Sequence, residues 1–424
     1  MKPHDYDERN RKPLRVTRNS TKRLLSSVVM PSQPLPVLPD ELIREILLRL
    51  PARTLLGLRS VCRSWRTLIS SSKFANDHVQ RSISADPCLS DSRVAYCNWG
   101  YNCKRIVDFP IQNLLKNPSE LPEVVFFEGG SNCRIIGCCN GLLCVLEVEG
   151  ANTIKNRAML WNPCTGFASR SPEIGGFLSL CGFGYDHVND KYKLVGIVKQ
   201  KQKKKHPSST TTIYTFCPNP SRRTIQESPP SGRYIGAKGL FVPGTGTLNW
   251  IRLHGTMNCS VVSLDLVKET FSEFSLPCNE TIVSPRFFSP RLCLLRNCLA
   301  FSFRHQKTHW AVWLMKEYGV PQSWTKLAMI CMDPLLDGKR IRQLRPLRRI
   351  SPLYIWGNYV VVVASSSKIV LYNLDDGSFE FPLLDPRPLS NSAGLRFHVY
   401  HESLVSPTYR GLRSSSSRMQ LIKP

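Results

Sequence analysis

LPDELIREILLRLPARTLLGLRSVCRSWRTLISSSKF, residues 38–74, marks an abrupt change in the character of the chain. Pro39 suits a first helical position, where its missing N–H costs nothing, and Asp40 and Glu41 put negative charge at the positive helix end. Leu42, Ile43, Ile46, Leu47 and Leu50 recur at helical spacing until Pro51, which lacks the amide donor and clashes with the preceding turn. A second helix is expected through Leu55, Leu58, Val61 and Cys62, and a third, short one through Trp65, Leu68 and Ile69. Three such helices in about forty residues bury too little surface to be stable alone. Their apolar positions exceed what so small a unit hides within itself, so another protein is expected to cover part of them. The alternative is a helical cap packed on the rest of this chain, and amphipathicity alone does not separate the two.

Outward from this stretch, the 424 residues suit two domains, one small and one large. A hydrophobic fraction of 42% is that of a globular protein. No run approaches the ~18 to 20 apolar residues of a membrane-spanning helix. The first thirty residues hold no apolar block of signal-peptide type. The expected location is therefore the cytoplasm and/or nucleus, with no membrane partner. Residues 1–35 are basic, rich in Ser and Pro and without periodicity, which reads as a flexible arm; residues 411–424 read as a disordered tail. The sixteen cysteines are scattered through apolar segments (Cys144, Cys181, Cys298, Cys331) with no C-x-x-C pair, so they read as small buried hydrophobes in a reducing compartment. The balance of 57 basic against 31 acidic residues, +26, favours acidic partners or nucleic acid, or simply a solvated basic surface.

Beyond residue 90 the helical period disappears. Short runs rich in β-branched and aromatic residues take over, separated by Gly, Pro, Asn and Asp. A repeat is visible: Asn140 to Val145 closed by Leu160 to Gly166, Gly246 to Ile251 closed by Val262 to Leu266, and Tyr359 to Ala364 closed by Ile369 to Gly377. Leu299 to Phe303 with Ala311 to Leu314, and Tyr192 to Val195 with Thr212 to Phe216, are further copies. First strands placed at 142, 192, 248, 299 and 360 give steps of 50, 56, 51 and 61 residues. A period near fifty with short antiparallel strands points to propeller blades, six or seven of them, with a further blade near Arg93–Tyr96 and closing strands near 395–405. A β-sandwich is the alternative, but the region exceeds its usual size.

In order and spacing, Leu38-Pro39, Glu41-Leu42, Ile46-Leu47, Leu50-Pro51, Leu55, Leu58, Val61-Cys62 and Trp65 resemble the F-box motif, over residues 36–80. CNGLLC (139–144), LWNPCTG (160–166), GFGYDHVNDKYKLVGI (182–197), GTLNWI (246–251), the LDL to ETF segment (264–271) and HESLVSP (401–407) resemble the kelch-like F-box-associated domain of a large plant family, over residues 92–410. The match departs at CPNPSRRTI (217–225): where the family has Ser-Trp-Arg, this chain has Ser221-Arg222-Arg223, and an irregular blade is expected there. The resemblance implies a small all-α three-helix F-box followed by an all-β propeller. It also implies the job of a substrate-recognition subunit of a Skp–cullin–F-box ubiquitin ligase. Its F-box would dock on the Skp-type adaptor, and through it on cullin and the RING subunit. The propeller loops would hold an unknown protein substrate. Carried over by position, the adaptor contacts are Leu38, Pro39, Leu42, Ile46, Leu50, Pro51, Leu55, Leu58, Val61 and Trp65.

No catalytic residue, cofactor or metal is expected. Cys293-x4-Cys298-x6-His305-x3-His309 has a central spacer about half the ~12 residues of a zinc finger. Ser70-x-x-Lys73 and Ser365-x-x-Lys368 match a nucleophile motif only formally, in plain Ser runs. Lys199–Lys205 and the cluster Arg340, Arg342, Arg345, Arg348 and Arg349 read as solvated loops, and the first also as a nuclear import signal or acidic-partner contact. Neither has the interleaved aromatics that stack on single-stranded nucleic acid. Two other classes stay open: a basic nucleic-acid-associated scaffold whose F-box is secondary, and a sugar-processing propeller enzyme.

Overall fold

The computed structural model describes residues 38–84, 92–99, 104–112, 124–125, 132–149, 155–175, 178–199, 209–216, 220–255, 258–277, 290–305, 309–331, 350–364, 369–380 and 397–407. The arm at 1–35, the basic run after Lys199, the arginine cluster at 340–349, Ser365–Lys368 and the tail at 411–424 lie outside the described residues. The chain divides into two compact units, residues 1–43 and 44–424. In the first, the Pro39 carbonyl accepts the amides of Leu42 and Ile43 (3.0 and 3.1 Å) and opens α1 (Asp40–Leu47).

The second unit begins with the end of α1 and continues through α2 (Ala52–Leu58), α3 (Arg63–Ile69) and α4 (Ser72–Ser84). Leu47, Leu48, Ala52, Leu55, Ile69, Phe74, Ala75 and Val79 are buried. Pro51 leaves the Leu50 carbonyl at a helix end, and the His78 ring Nε2–H, from α4, donates to it at 2.8 Å. Arg81 reaches Glu45 at 2.9 Å and Arg44 pairs with Asp77. The fourth helix goes beyond the three expected. Phe74, Ala75, His78 and Val79 follow helical spacing and are buried, but Asn76, Asp77 and His78 dilute the apolar face as it reads in the sequence.

The remainder is β. Its strands are β1 (Ser92–Trp99), β2 (Lys104–Pro110) and β3 (Val124–Val125); β4 (Asn132–Cys139), β5 (Leu142–Glu149), β6 (Lys155–Trp161), β7 (Ala168–Arg170) and β8 (Ile174–Gly175). There follow β9 (Leu180–Asp186), β10 (Lys191–Lys199), β11 (Ser209–Thr215) and β12 (Arg222–Ile225); then β13 (Arg233–Val242), β14 (Thr247–His254), β15 (Asn258–Asp265) and β16 (Phe271–Ser275). The last are β17 (Arg291–Leu295), β18 (Cys298–Arg304), β19 (His309–Met315) and β20 (Trp324–Cys331); β21 (Ile350–Trp356), β22 (Tyr359–Ala364), β23 (Ile369–Asn373) and β24 (Phe379–Glu380); and β25 (Phe397–His401).

Among the described residues these strands make antiparallel meanders of four: β4–β7, β9–β12, β13–β16, β17–β20 and β21–β24, plus one in which β25 returns to lead β1, β2 and β3. The returning strand pairs Ser92 with His401 and Tyr96 with Phe397. A parallel contact, Lys238 opposite Cys181, joins the third and fourth meanders. Leading strands lie against one another in the order β25, β4, β9, β13, β17, β21 and back to β25, so the row closes into a ring.

Apolar clusters fill the gaps between neighbouring meanders, which explains the near-continuous apolar runs. In β1, Val94 and Tyr96 pack with Val361 and Leu371, whereas Ala95 and Cys97 pack with Cys133, Leu143 and Trp161 on the opposite face. The repeat seen in the sequence has the right spacing and a shifted phase: positions 142, 192, 248, 299 and 360 fall in β5, β10, β14, β18 and β22, the second strand of each meander. Second and third strands have neighbours on both edges and both faces, and they announce themselves. Leading strands such as RYIGAKGLFV, and outer ones such as FSEFS, mix polar with apolar residues. At the departure from the family pattern the outer strand forms regularly, with Tyr214 opposite Arg222 and Thr211 opposite Ile225. The Arg222 guanidinium lies 5.8 Å from the Tyr214 ring centroid.

Candidate functional site

The helical residues singled out in the sequence fall into three groups. Leu38, Leu42, Ile46 and Val61 keep 51, 50, 48 and 60% of their surface exposed. Leu42 and Ile46, four apart, share one face of α1. Pro39 and Pro51 are exposed too, while Leu50, Leu58 and Trp65 are half-buried. Leu55 has no exposed surface and lies in the interior of the helices. In the sequence Leu55 and Leu58 occupy one helical stripe, and nothing in the spacing tells them apart. Since Leu47, Leu55, Ile69 and Phe74 already fill the interior, the exposed leucines, isoleucine and valine are surplus to it. Cys62 caps α3: its Sγ accepts the Trp65 amide at 3.4 Å, and that bond lowers the thiol.

Three of the motifs that carry the family resemblance in the β region, CNGLLC, LWNPCTG and HESLVSP, meet at the seam where the ring closes. Asn162, fully buried, donates from Nδ2 to the carbonyls of Ser403 (2.9 Å) and Val405 (2.7 Å) and accepts from Cys164 N–H (2.8 Å). Ser403 Oγ–H donates to the Asn140 carbonyl at 2.8 Å. Gly141, at φ 76°, sits so close that a Cβ would lie 2.3 Å from Ser403 Oγ. The NG turn, the WNP turn and the C-terminal HESLVSP segment thus lock the second meander onto the closing strand.

Charges are buried beside this seam. Arg93 Nε lies 2.8 Å from Asp108 and its Nη1 3.3 Å from Glu402; Arg53, from α2, reaches Glu402 at 2.6 Å. Burial pushes the Asp108 carboxyl up to about 6, against the pull of Arg93. Burial alone would lower Arg93, but Asp108 and Glu402 hold it above its ordinary value. A second set links the third and fourth meanders: Lys193 Nζ lies 2.7 Å from Asp186 and 2.8 Å from Glu269, and donates to the Leu266 carbonyl at 2.6 Å. Burial works to raise Asp186, but Lys193 and the Asn189 amide win and hold it low. The sequence reading passed over these charges, because a single Lys or Arg in an apolar strand carries no spacing signal. Cys293, from the Cys-His array, packs in an apolar cluster with Ile350 and Val360, and burial pushes its thiol up to about 12.

The F-box domain family matches residues 35–77, and the F-box associated beta propeller domain family matches residues 99–406. An F-box/kelch-repeat protein of Arabidopsis thaliana is 29% identical over 87% of this chain and 96% of its own length. An F-box/LRR-repeat protein of the same plant is 26% identical over 70% of this chain and 68% of its own. Among solved structures, TolB from Acinetobacter baumannii covers 77% of this chain and 72% of its own at a TM-score of 0.41 and 11% identity, too slight a likeness to argue from. The chain belongs to the F-box proteins that carry an F-box associated beta propeller domain.

Proposed function

We propose that this protein is the substrate-recognition subunit of a Skp–cullin–F-box ubiquitin ligase. Leu38, Pro39, Leu42, Ile46, Pro51 and Val61, with the half-buried Leu50, Leu58 and Trp65 at the margins, dock on a Skp-type adaptor. A propeller of six blades, one per meander, holds the target protein. The chain itself makes and breaks no bond. It raises the effective concentration of target lysines beside the charged conjugating enzyme. It works in the cytoplasm and/or nucleus; no helix among the described residues is long and apolar enough to cross a membrane.

The observation that carries the reading is the exposed apolar surface at Leu38, Leu42, Ile46 and Val61 on helices whose interior is already filled. Capture of the full-length chain by a purified Skp-type adaptor tests it. The wild type is retained, and Leu42→Asp with Ile46→Asp is not, although its melting curve is unchanged. Equal retention of both proteins overturns the docking assignment.

A further inference from the structure

The cysteines of the ring fall into two kinds. Several are held among apolar side chains as inert thiols: burial pushes Cys138 and Cys293 up to about 12, and Cys139 and Cys144 well above their ordinary value. Cys97 and Cys133 differ, because they meet. Ala95 and Cys97, two apart on β1, share one face of the closing sheet; Cys133 and Ile135, two apart on β4, share the face of the second meander that packs against it. All four belong to one apolar cluster, and within it the Cys133 thiol donates a hydrogen bond to the Cys97 sulfur. Neither sulfur is engaged in a disulfide.

Two donors and a cation act on the Cys97 sulfur. The donors are the Cys133 thiol and the Ile135 amide; the cation is Lys238, whose ammonium is held nearby by the Ile135 carbonyl. The Cys133 hydrogen bond leads, and together the three outweigh burial and hold the Cys97 thiol below its ordinary value. Both cysteines stand near strand ends. Cys97 comes two residues before Trp99, the last of β1, and Cys133 directly follows Asn132, the first of β4. Cys97 keeps 9% of its surface exposed and Cys133 2%, so Cys97 is the thiol that a small oxidant meets first.

We propose that Cys97 and Cys133 form a redox-sensitive pair, which hydrogen peroxide closes into a disulfide that fastens the closing sheet covalently to the second meander. The Cys97 sulfur, its proton given up, attacks one peroxide oxygen; the O–O bond breaks and the departing hydroxide takes up a proton as water, leaving a sulfenic acid. The Cys133 sulfur then attacks the Cys97 sulfur, the S–S bond forms, the S–O bond breaks, and the second hydroxide leaves with the Cys133 proton as water. In sum two thiols and one peroxide give one disulfide and two waters, with two electrons passing from sulfur to oxygen. In the reduced chain, β1 is held to its neighbours by the β25 pairing and by apolar packing against β4. With the link made, β1 stays on β4 even when β25 detaches. The step rests on the ring alone and needs nothing from the ligase reading.

The test uses the reduced full-length chain, treated with a small excess of hydrogen peroxide, alkylated, and digested with trypsin without reduction. Mass spectrometry is expected to find the peptide 94–104, which carries Cys97, joined to 117–134, which carries Cys133. Fragmentation places the link at Cys97 and not at Cys103 of the same peptide. The oxidised protein melts about 3 °C or more above the reduced one, and dithiothreitol reverses both changes. In Cys133→Ser the link is lost and a sulfenic acid at Cys97 is trapped by dimedone; in Cys97→Ser link and trapping both disappear; Cys138→Ser keeps the link. Recovery of Cys97 and Cys133 as separately alkylated thiols from folded, peroxide-treated wild type overturns the proposal, and so does a link through Cys103. Dimedone labelling of Cys139 or Cys144 equal to that of Cys97 overturns it too, since oxidation would then follow no particular site. The wild-type peptide map stands by itself if either serine variant fails to fold.

Discussion

The helical face and the ring seam treat polarity in opposite ways. On α1 and after α2, Leu42, Ile46 and Val61 stand exposed, while the ring hides Arg93, Asp108, Lys193 and Asp186. Exposed apolar area on so small a unit is unfinished burial, which the proposed docking on a second polypeptide would complete. Buried charge is already complete: each of the four has an opposite charge within 2.8 Å. The contrast teaches where to look for partners in this molecule. On the proposed reading, apolar residues left on the outside mark where another protein docks, whereas the charges hidden inside join neighbouring parts of the same chain.

That contrast can be broken or sharpened by substitution. Arg93→Met strands Asp108 in the interior and leaves Glu402 with Arg53, and is expected to cost about 4 kcal/mol of fold stability in urea titration. A loss under about 1 kcal/mol would show that the seam does not depend on its charges. Leu55→Ala opens a cavity among the helices and should cost about 3 kcal/mol, whereas Ile46→Ala should leave unfolding unchanged and weaken adaptor binding by about 2 kcal/mol. If the two variants exchange these effects, interior and surface have been assigned the wrong way round.

Asp108 adds a dependence on pH. Its folded value of about 6 lies above its ordinary 3.8, so its contribution to stability is fully present below the ordinary value and is lost as pH rises through 6. The wild type should therefore lose roughly 2 to 3 kcal/mol relative to Asp108→Asn between about pH 4 and pH 6, and no more above that. A flat difference across that window contradicts the assigned burial. The smallest effect belongs to Arg53→Met. Arg93 still partners Glu402, so stability falls by at most about 1 kcal/mol, read best as faster amide exchange in α2.

Much of this was legible in the residues. Short apolar runs and turn chemistry placed β5, β6, β14, β15, β22 and β23, because middle strands are apolar on both faces and end in Asx turns such as those of Asn162 and Asp265. The leading strands were harder to see, since one edge of each faces the axis and their composition is mixed. The exposed face of the helices was legible only as a surplus of apolar positions. Which of Leu55 and Leu58 lay inside was decided by how the helices pack, and sequence spacing holds no trace of that. The cross-strand charges Arg93, Asp108 and Glu402 lie far apart in sequence, so only the folded ring brings them together.

Closing the ring through β25 has a consequence for the order of events during synthesis. β1 leaves the ribosome about three hundred residues before the strand that completes its sheet. At ordinary translation rates of about 5 to 20 residues per second, that leaves some 15 to 60 seconds in which the helices are already outside and the ring is still open. On the proposed function, a nascent chain could be claimed by its adaptor well before its ring is closed.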